Sequence, residues 1–301
     1  MKSSSEKVIP ALVTPLNKNQ TADLNGFDKI IQYLNQKGCD KFVLFGTSGE
    51  FSLVSESVKN SILSYLDSKN DNNRYLIACN SENIDHLINK LKEYDEYDFI
   101  DGYLITPPYY FILKQNEIIN YYTKLLNKVK KPILYYHIPQ MTGVFLNVNT
   151  LVKLSNAGLS GIKDSSGAID NLHKLTNFKK TKNSFKIYIG GSRILLQALI
   201  MGIDGVIGLA SNINPKNEVD LINNFNDKNY EKAFILQILC NEQNEFLNNY
   251  PFFQQSVVKG ILSKLNIIKK YVCFPMKELD KKNIDLIYED YKMLLGKISK
   301  S

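Results

Sequence analysis

The chain has 301 residues, 44% of them hydrophobic and 22% charged, with a formal net charge of +7. That is enough chain for one large core, and the balance is that of a globular protein rather than a disordered one. No apolar run approaches the roughly 18 residues of a membrane span; the polar stretch from Met1 to Lys7 lacks the apolar centre of a signal peptide and points to the cytoplasm; and the basic residues are spread among Asn, Asp and Glu, which argues against a nucleic-acid surface. Cys39, Cys79, Cys240 and Cys273 are too scattered for a metal pair and read as buried thiols, so neither zinc nor disulfides are expected.

In chain order, an apolar strand is expected over 8–14, ending at Pro15. Phe27, Ile30, Ile31 and Leu34 then share one face of a helix that Asp23 caps and Gly38 stops. A second strand, 41–45, runs into Gly46-Thr47-Ser48-Gly49-Glu50 and is followed by a helix over 55–67. The third strand is 75–78, with a helix over 83–94. The fourth is 100–105, ending at Thr106-Pro107-Pro108-Tyr109-Tyr110, with a helix over 116–129. The fifth is 132–136, ending at His137-Ile138-Pro139, with a helix near 147–156. The sixth, 159–163, carries Lys163 and precedes a helix near 168–178. The seventh, 185–189, leads into Gly190-Gly191-Ser192 and a helix over 193–201. The eighth is 204–208.

Parallel strands need crossovers, usually helices, and eight such units within residues 1–225 match an α/β fold of the closed (β/α)8 or TIM-barrel type. An open doubly wound sheet is the alternative, but no Gly-x-Gly-x-x-Gly turn follows the first strand. From about Glu218 only helical periodicity remains, over 229–247, about 252–265 and 280–298, which predicts a C-terminal helical extension, 226–301, packed on the barrel or on a partner subunit.

In a barrel, active residues come from the C-terminal ends of strands. Gly46-Thr47-Ser48-Gly49 offers two hydroxyls and several backbone N–H groups between glycines, a nest suited to a carboxylate as well as an ordinary tight turn. Tyr109, Tyr110 and Tyr136 bring phenols to strand ends, although most of the 18 tyrosines must serve packing. Gly161-Ile162-Lys163-Asp164-Ser165-Ser166-Gly167 reads as a buried strand that delivers a lysine to a cleft and then turns. Burial disfavours the charged form of an amine, and a neutral amine attacks a ketone to form a Schiff base. After the seventh strand, Gly190-Gly191-Ser192-Arg193 has glycines that would let a ligand approach closely. The set suits a 2-keto acid held as an imine: the nest takes the carboxylate, Lys163 takes C2, and a tyrosine moves the proton.

These motifs resemble, in kind, order and strand position, the dihydrodipicolinate synthase/N-acetylneuraminate lyase family of pyruvate-dependent class I aldolases. Gly46-Thr47-Ser48-Gly49-Glu50 is similar to its carboxylate loop, and Gly161 to Gly167 to its Schiff-base strand. Tyr136-His137-Ile138-Pro139 is similar to its Tyr-Asn-x-Pro segment, with His137 in place of Asn. Gly205-Val206-Ile207-Gly208 is similar to its eighth-strand segment, where a backbone carbonyl, here placed at Ile207, faces the keto acid. The likeness spans about residues 8–225. It implies that Lys163 forms the imine with pyruvate, that Tyr136 is the acid and base, and that Gly46, Thr47 and Ser48 hold the carboxylate. It also implies that Tyr110 reaches into a neighbouring subunit's proton relay, so that a homotetramer built as a dimer of dimers is expected. The partners are then a small keto acid and an aldehyde, with no metal or organic cofactor.

The substrate beyond pyruvate is expected from departures. In the synthase branch an arginine precedes Thr-Gly and helps hold a carboxylate. Here Met141 stands in Pro139-Gln140-Met141-Thr142-Gly143, and a thioether cannot make that charge-assisted pair. In the sialic-acid lyases an acidic pair follows the seventh strand, where this chain has Ser192 and Arg193. What remains most resembles the 2-keto-3-deoxygluconate aldolases, so a 2-keto-3-deoxy sugar acid is the expected substrate, with dihydrodipicolinate synthesis or N-acetylneuraminate cleavage as alternatives. Gly190, Ser192, Arg193, Met141 and His137 complete the candidate binding set. Arg193 is read either as a ligand for a substrate anion or as a surface ion pair, and His137 either as a hydrogen-bonder near the site or as a filler of the Asn space. The non-enzymatic alternative is a regulatory protein that grips a keto acid without turnover, against which Lys163 and Tyr136 stand together.

Overall fold

In the computed structural model, residues 7–69, 72–81 and 83–298 are described; the stretch from Met1 to Glu6, read above as leaderless, lies outside them. The strands are β1 (Val8–Pro10), β2 (Lys41–Leu44), β3 (Arg74–Cys79), β4 (Ile100–Ile105), β5 (Ile133–His137), β6 (Gly161–Asp164), β7 (Lys186–Ile189) and β8 (Gly205–Gly208). All pair in parallel, in the order β1-β8-β7-β6-β5-β4-β3-β2. The ring closes through a bridge between Ala11 and Val43, with the Leu12 N–H donating to the Val43 carbonyl at 2.9 Å. A closed sheet has no free edge to protect, and this one is the TIM barrel that the strand count predicts.

Strand side chains alternate between two cores, as a period of two requires. Ile9, Ala11, Val43, Leu76, Ala78, Leu104, Leu134, Tyr136, Tyr188 and Ile207 fill the barrel interior. Their outward neighbours, among them Phe42, Ile77, Tyr103, Tyr135, Ile162 and Val206, join the larger core beneath the helices. The helices are α1 (Leu24–Asn35), α2 (Glu56–Lys69), α3 (Ile84–Tyr94), α4 (Gln115–Leu126), α5 (Pro139–Thr142), α6 (Val148–Asn156), α7 (Ile169–Thr181), α8 (Leu195–Met201), α9 (Lys216–Asn226), α10 (Tyr230–Asn248), α11 (Gln254–Lys264) and α12 (Lys281–Ile298). Asp23 caps α1 by accepting from the Gly26 N–H, and Gly38 takes the left-handed φ of +87° beyond its end.

Two expectations need correction. The first strand stops at Pro10 rather than residue 14, because the chain leaves the ladder once the ring is closed. Beyond Leu12, the Val13 N–H goes to the Asn212 side chain instead of a neighbouring strand. The segment Pro139–Thr142, where the sequence predicts no helix, is one helical turn, with proline at its first position and Gly143 as its left-handed cap. No described helix is long and apolar enough to cross a membrane, and all four cysteines are buried and unpaired.

Candidate active site

Lys163 sits on β6, 5% exposed, with its side chain inside the barrel. Register sets Tyr136 of β5 on one side and Tyr188 of β7 on the other. The Lys163 Nζ lies 4.2 Å from the centroid of the Tyr136 ring, and the Tyr136 hydroxyl lies 3.1 Å from Thr47 Oγ1. An amine, a phenol and an alcohol from three strand ends thus form one chain of contacts at the carboxyl end of the barrel. Gly161, which starts β6, is needed there: a Cβ on it would stand 2.5 Å from the Lys186 carbonyl oxygen.

Thr47 opens a single 3-10 turn, Thr47–Gly49, whose first N–H groups have no partner within the turn and so point outward as donors. Gly49 packs so tightly that a Cβ would meet the Leu12 carbonyl oxygen at 2.8 Å, and Thr14 Oγ1 donates to the Gly49 carbonyl at 2.8 Å. Glu50 and Phe51 follow with φ of +68° and +38°, which costs about 1–3 kcal/mol for each side-chain-bearing residue. Three contacts from the C-terminal region hold this turn. Gln255 Nε2 donates to the Thr47 carbonyl at 2.9 Å. Lys259 of α11 forms an ion pair with Glu50, both side chains fully buried, and the Cys273 N–H donates to the other Glu50 oxygen. Burial lowers the Lys259 pKa, and the Glu50 carboxylate opposes that shift.

Behind Lys163 runs a second network on the outer face of the strands. Asp164 Oδ1 is 2.9 Å from His137 Nδ1 and accepts the Ser166 N–H at 2.9 Å, while Asn171 Nδ2 donates to Oδ2 at 3.1 Å. The Leu146 N–H donates to His137 Nε2 at 3.2 Å, so the ring proton belongs on Nδ1, which donates to Asp164. Burial pushes the Asp164 carboxyl up, but the hydrogen bonds from His137 and Ser166 outweigh it and hold the pKa below the usual carboxylate value. His137 therefore does not face the candidate ligand space: it is 1% exposed and braces β5 to β6 and to the chain before α6.

A cleft of 740 Å³ opens over the carboxyl ends of β5 to β8, beside the Lys163–Tyr136–Thr47 chain rather than directly over it. Gln140, Met141, Ser165, Ser166, Gly190, Arg193, Asn244, Asn248 and Gln254 border it. Met141 is 66% exposed at its rim, and Arg193 is exposed. Gly190 serves a second purpose besides bordering the cleft. The space its missing Cβ leaves is filled by Ser165, whose Oγ would be 1.8 Å from that atom, so the glycine is required by the neighbouring strand end, while its backbone still borders the cleft. Ser192 is buried and turned away from the cleft, accepting from Asn244 Nδ2 at 2.9 Å. Ile207 lies in the barrel interior. Tyr110 stands 78% exposed, its ring edge against Phe111 at 5.1 Å, and joins nothing in the cluster within one chain. The contributions of Gln255, Lys259, Asn244 and Tyr188 went unread in the sequence. The one visible signal was a lysine set inside the apolar run Val257-Val258-Lys259-Gly260-Ile261-Leu262.

Comparison with known proteins agrees with this architecture. The chain is 31% identical over 294 residues to the 4-hydroxy-tetrahydrodipicolinate synthase of Wigglesworthia glossinidia brevipalpis, covering 96% of this chain and 95% of that protein. It is 27% identical over 293 residues to the protein of the same name from Oceanobacillus iheyensis, covering 95% and 97%. Among solved structures, a prophage protein of the dihydrodipicolinic acid synthase family from E. coli K12, in complex with pyruvate, superposes with a TM-score of 0.88 at 22% identity over 96% of this chain and 98% of that one. A variant of the Sulfolobus solfataricus 2-keto-3-deoxygluconate aldolase superposes with a TM-score of 0.86 at 20% identity over 98% of both. At such identities the structures speak for the fold alone. A barrel with a buried lysine at its carboxyl end and full-length synthase relatives is an enzyme of the pyruvate-dependent class I aldolase type, a carbon–carbon lyase. The chain belongs to the dihydrodipicolinate synthetase family, whose model matches residues 4–292.

Proposed function

We propose that this aldolase reversibly cleaves a 2-keto-3-deoxy sugar acid, such as 2-keto-3-deoxygluconate, into pyruvate and an aldehyde through an imine on Lys163. The observation that carries the reading is the contact chain Lys163–Tyr136–Thr47, with Nζ 4.2 Å from the tyrosine ring and the phenol 3.1 Å from the threonine hydroxyl. The Lys163 amine adds to C2 of the keto acid, and Tyr136 gives its proton to the departing hydroxyl, so that water leaves and an iminium on Lys163 and a phenolate on Tyr136 remain. The C4 hydroxyl gives its proton to Tyr136 as the C3–C4 bond breaks, and the bonding pair moves into the iminium to leave an enamine. The enamine takes a proton at C3, and water hydrolyses the imine to pyruvate. Thr47 and Ser48 hold the substrate carboxylate with their hydroxyls and the N–H groups of the turn. The protein residues supply all of these steps, so no metal or organic cofactor takes part.

Tyr136→Phe is expected to lower kcat by about 10²- to 10⁴-fold, the usual contribution of a positioned acid–base group, while leaving borohydride-trapped pyruvate on Lys163 detectable by mass spectrometry. An unchanged kcat would remove Tyr136 from the proton path.

The cleft supports the sugar-acid branch. Its border carries the amides of Gln140, Asn244, Asn248 and Gln254 and the hydroxyls of Ser165 and Ser166 beside Arg193 and apolar side chains, with Met141 at the rim, and those amides and hydroxyls suit a polyhydroxyl tail. The second reading is 4-hydroxy-tetrahydrodipicolinate synthesis from pyruvate and aspartate semialdehyde, favoured by the names of the relatives at 27% and 31% identity. Parallel assays separate the two. Release of pyruvate from 2-keto-3-deoxygluconate, without condensation onto aspartate semialdehyde, is the expected result; the reverse pattern would move the chain to the synthase branch. Assembly into a homotetramer is part of the same reading. Tyr110, Phe111, Ile112 and Phe145 on one side, and Ile200, Phe234 and Ile238 on another, leave two apolar surfaces of the kind that partner subunits cover. Tyr110 would then serve the neighbouring subunit's site.

A further inference from the structure

Of the 37 basic side chains in the sequence, only Arg74 and Arg193 are arginines. They stand in different surroundings. Arg74 is engaged: its Nε and Nη2 lie 2.7 Å and 2.6 Å from Asp101 Oδ1. Arg193 borders the cleft just after β7. Among the described residues it pairs with no carboxylate, and its guanidinium donates no hydrogen bond.

The backbone that carries Arg193 is nevertheless fixed. Gln237 Nε2 donates to the Ser192 carbonyl at 2.8 Å and to the Arg193 carbonyl at 3.0 Å, and the Leu196 N–H donates to Gln237 Oε1 at 2.7 Å. The same wall is tied to β6, where the Gly190 N–H donates to the carbonyl of Asp164, the neighbour of Lys163, at 2.8 Å. From Gly190 to Arg193 is three residues, at most about 11 Å of chain. The wall therefore runs outward from beside Lys163 to the guanidinium.

The other polar groups of the cleft divide by which of their atoms are already bonded. Gln140 Nε2 donates to the Ser165 and Ser166 carbonyls at 3.1 Å and 3.2 Å. Asn244 Nδ2 donates to Ser192 Oγ at 2.9 Å and to the Cys240 carbonyl at 2.7 Å. Both donors of each amide are thus engaged, and among the described residues their oxygens accept nothing. Asp164 is the one carboxylate among the bordering residues, and His137, Ser166 and Asn171 occupy it. The cleft therefore offers a ligand amide acceptors from α5 and α10 and an unpaired cation from the end of β7.

We propose that Arg193 is a specificity-determining residue that binds a second anionic group, a phosphate ester or a carboxylate, at the far end of the substrate. The preferred substrate is then a sugar acid charged at both ends, an inference that rests on the sugar-acid reading and narrows it. The amide oxygens accept from the hydroxyls in the middle of the chain. The planar guanidinium forks onto two oxygens of the terminal group, an arrangement that phosphate and carboxylate allow and a hydroxymethyl does not.

The test uses three substrates that differ only at C6: 2-keto-3-deoxygluconate with a hydroxymethyl, its 6-phosphate, and 2-keto-3-deoxyglucarate with a carboxylate. In the wild type, kcat/KM is expected to be about 10- to 100-fold higher for one of the charged substrates than for the neutral one, the scale of a hydrogen bond to a charged group. Which of the two leads identifies the anion. Arg193→Gln is expected to abolish the preference, and Arg193→Lys, which keeps the charge without the fork, to retain part of it. No preference in the wild type, or one that survives in Arg193→Gln, overturns the proposal. A second readout needs no turnover. Phenylglyoxal modifies arginines, and peptide mapping separates the two in this chain. Inorganic phosphate or malonate is expected to slow modification of Arg193, relative to chloride at equal ionic strength, and to leave that of Arg74 unchanged. An Arg193 that neither anion protects overturns the proposal. If pyruvate is trapped on Lys163 but none of the three sugar acids is cleaved, the sugar-acid reading fails, and the labelling still decides whether Arg193 holds an anion.

Discussion

Lys163→Ala is expected to lower the rate of carbon–carbon cleavage by at least about 10⁴-fold, the scale on which enzymes lose rate when their nucleophile is removed. Such a loss corresponds to roughly 5.5 kcal/mol of barrier. The physical reason is electronic. Breaking the bond at C3 leaves an electron pair that needs a sink, and a keto oxygen is a far poorer sink than an iminium nitrogen. No neighbouring group can take over. Tyr136 and Thr47 carry no amine, and Asp164 faces the other side of the strand in its contact with His137. Lys163→Arg is expected to be equally inactive, because a guanidinium stays protonated and does not add to ketones. Both variants should fold, since the lysine is bonded to neither partner network and meets mainly the Tyr136 ring. Steady-state kinetics, with circular dichroism as the control for folding, reads the outcome. Activity in either variant within tenfold of wild type would mean that the reaction does not pass through Lys163.

Lys259→Ala is expected to destabilise the fold by about 3–5 kcal/mol, the effect of removing one partner from a buried ion pair and leaving the other charge uncompensated. The Glu50 side chain is fully buried. The replacement also releases the Tyr271 carbonyl, which accepts from Lys259 Nζ at 2.8 Å. The paired replacement Glu50→Leu with Lys259→Met removes both charges and should recover part of the loss. It cannot recover all of it, because the Cys273 N–H then loses its acceptor, at about 1–3 kcal/mol for an unpaired buried donor. The pair also holds Glu50 in its left-handed conformation two residues after Ser48, at the end of the Thr47–Gly49 turn, so the paired variant is expected to bind pyruvate more weakly. Guanidinium denaturation midpoints at constant slope give the stability, and pyruvate titration gives the binding. A single variant within about 1 kcal/mol of wild type would show that the pair is solvated or dispensable.

The barrel was legible because strands buried on both faces read as continuous apolar runs, and eight of them between helical patterns leave few topologies open. Lys163, Tyr136 and Thr47 were legible for a related reason: each is a reactive side chain at the point where an apolar run gives way to a turn. The outward direction of His137 was within reach as well, since Tyr136 facing in sets its neighbour facing out. Helix α9 escaped a bounded prediction because Lys216–Asn226 is crowded with Asn and Asp, which are weak helix formers, and only packing settles it. The support of the Thr47 turn escaped for another cause. Gln255 is 208 positions from Thr47 and Cys273 is 223 from Glu50, and no local pattern reports such pairs. Ser192 misled because a serine at a strand end looks alike whether it faces a ligand or a neighbouring turn.

The central claim is that Lys163 carries the covalent intermediate. Its most direct test is intact-protein mass spectrometry after borohydride reduction in the presence of pyruvate, followed by peptide mapping. One pyruvate-derived adduct per chain, mapped to the peptide containing Lys163 and missing from Lys163→Ala, is the predicted result. No adduct, or an adduct on another lysine that survives the replacement, would contradict it.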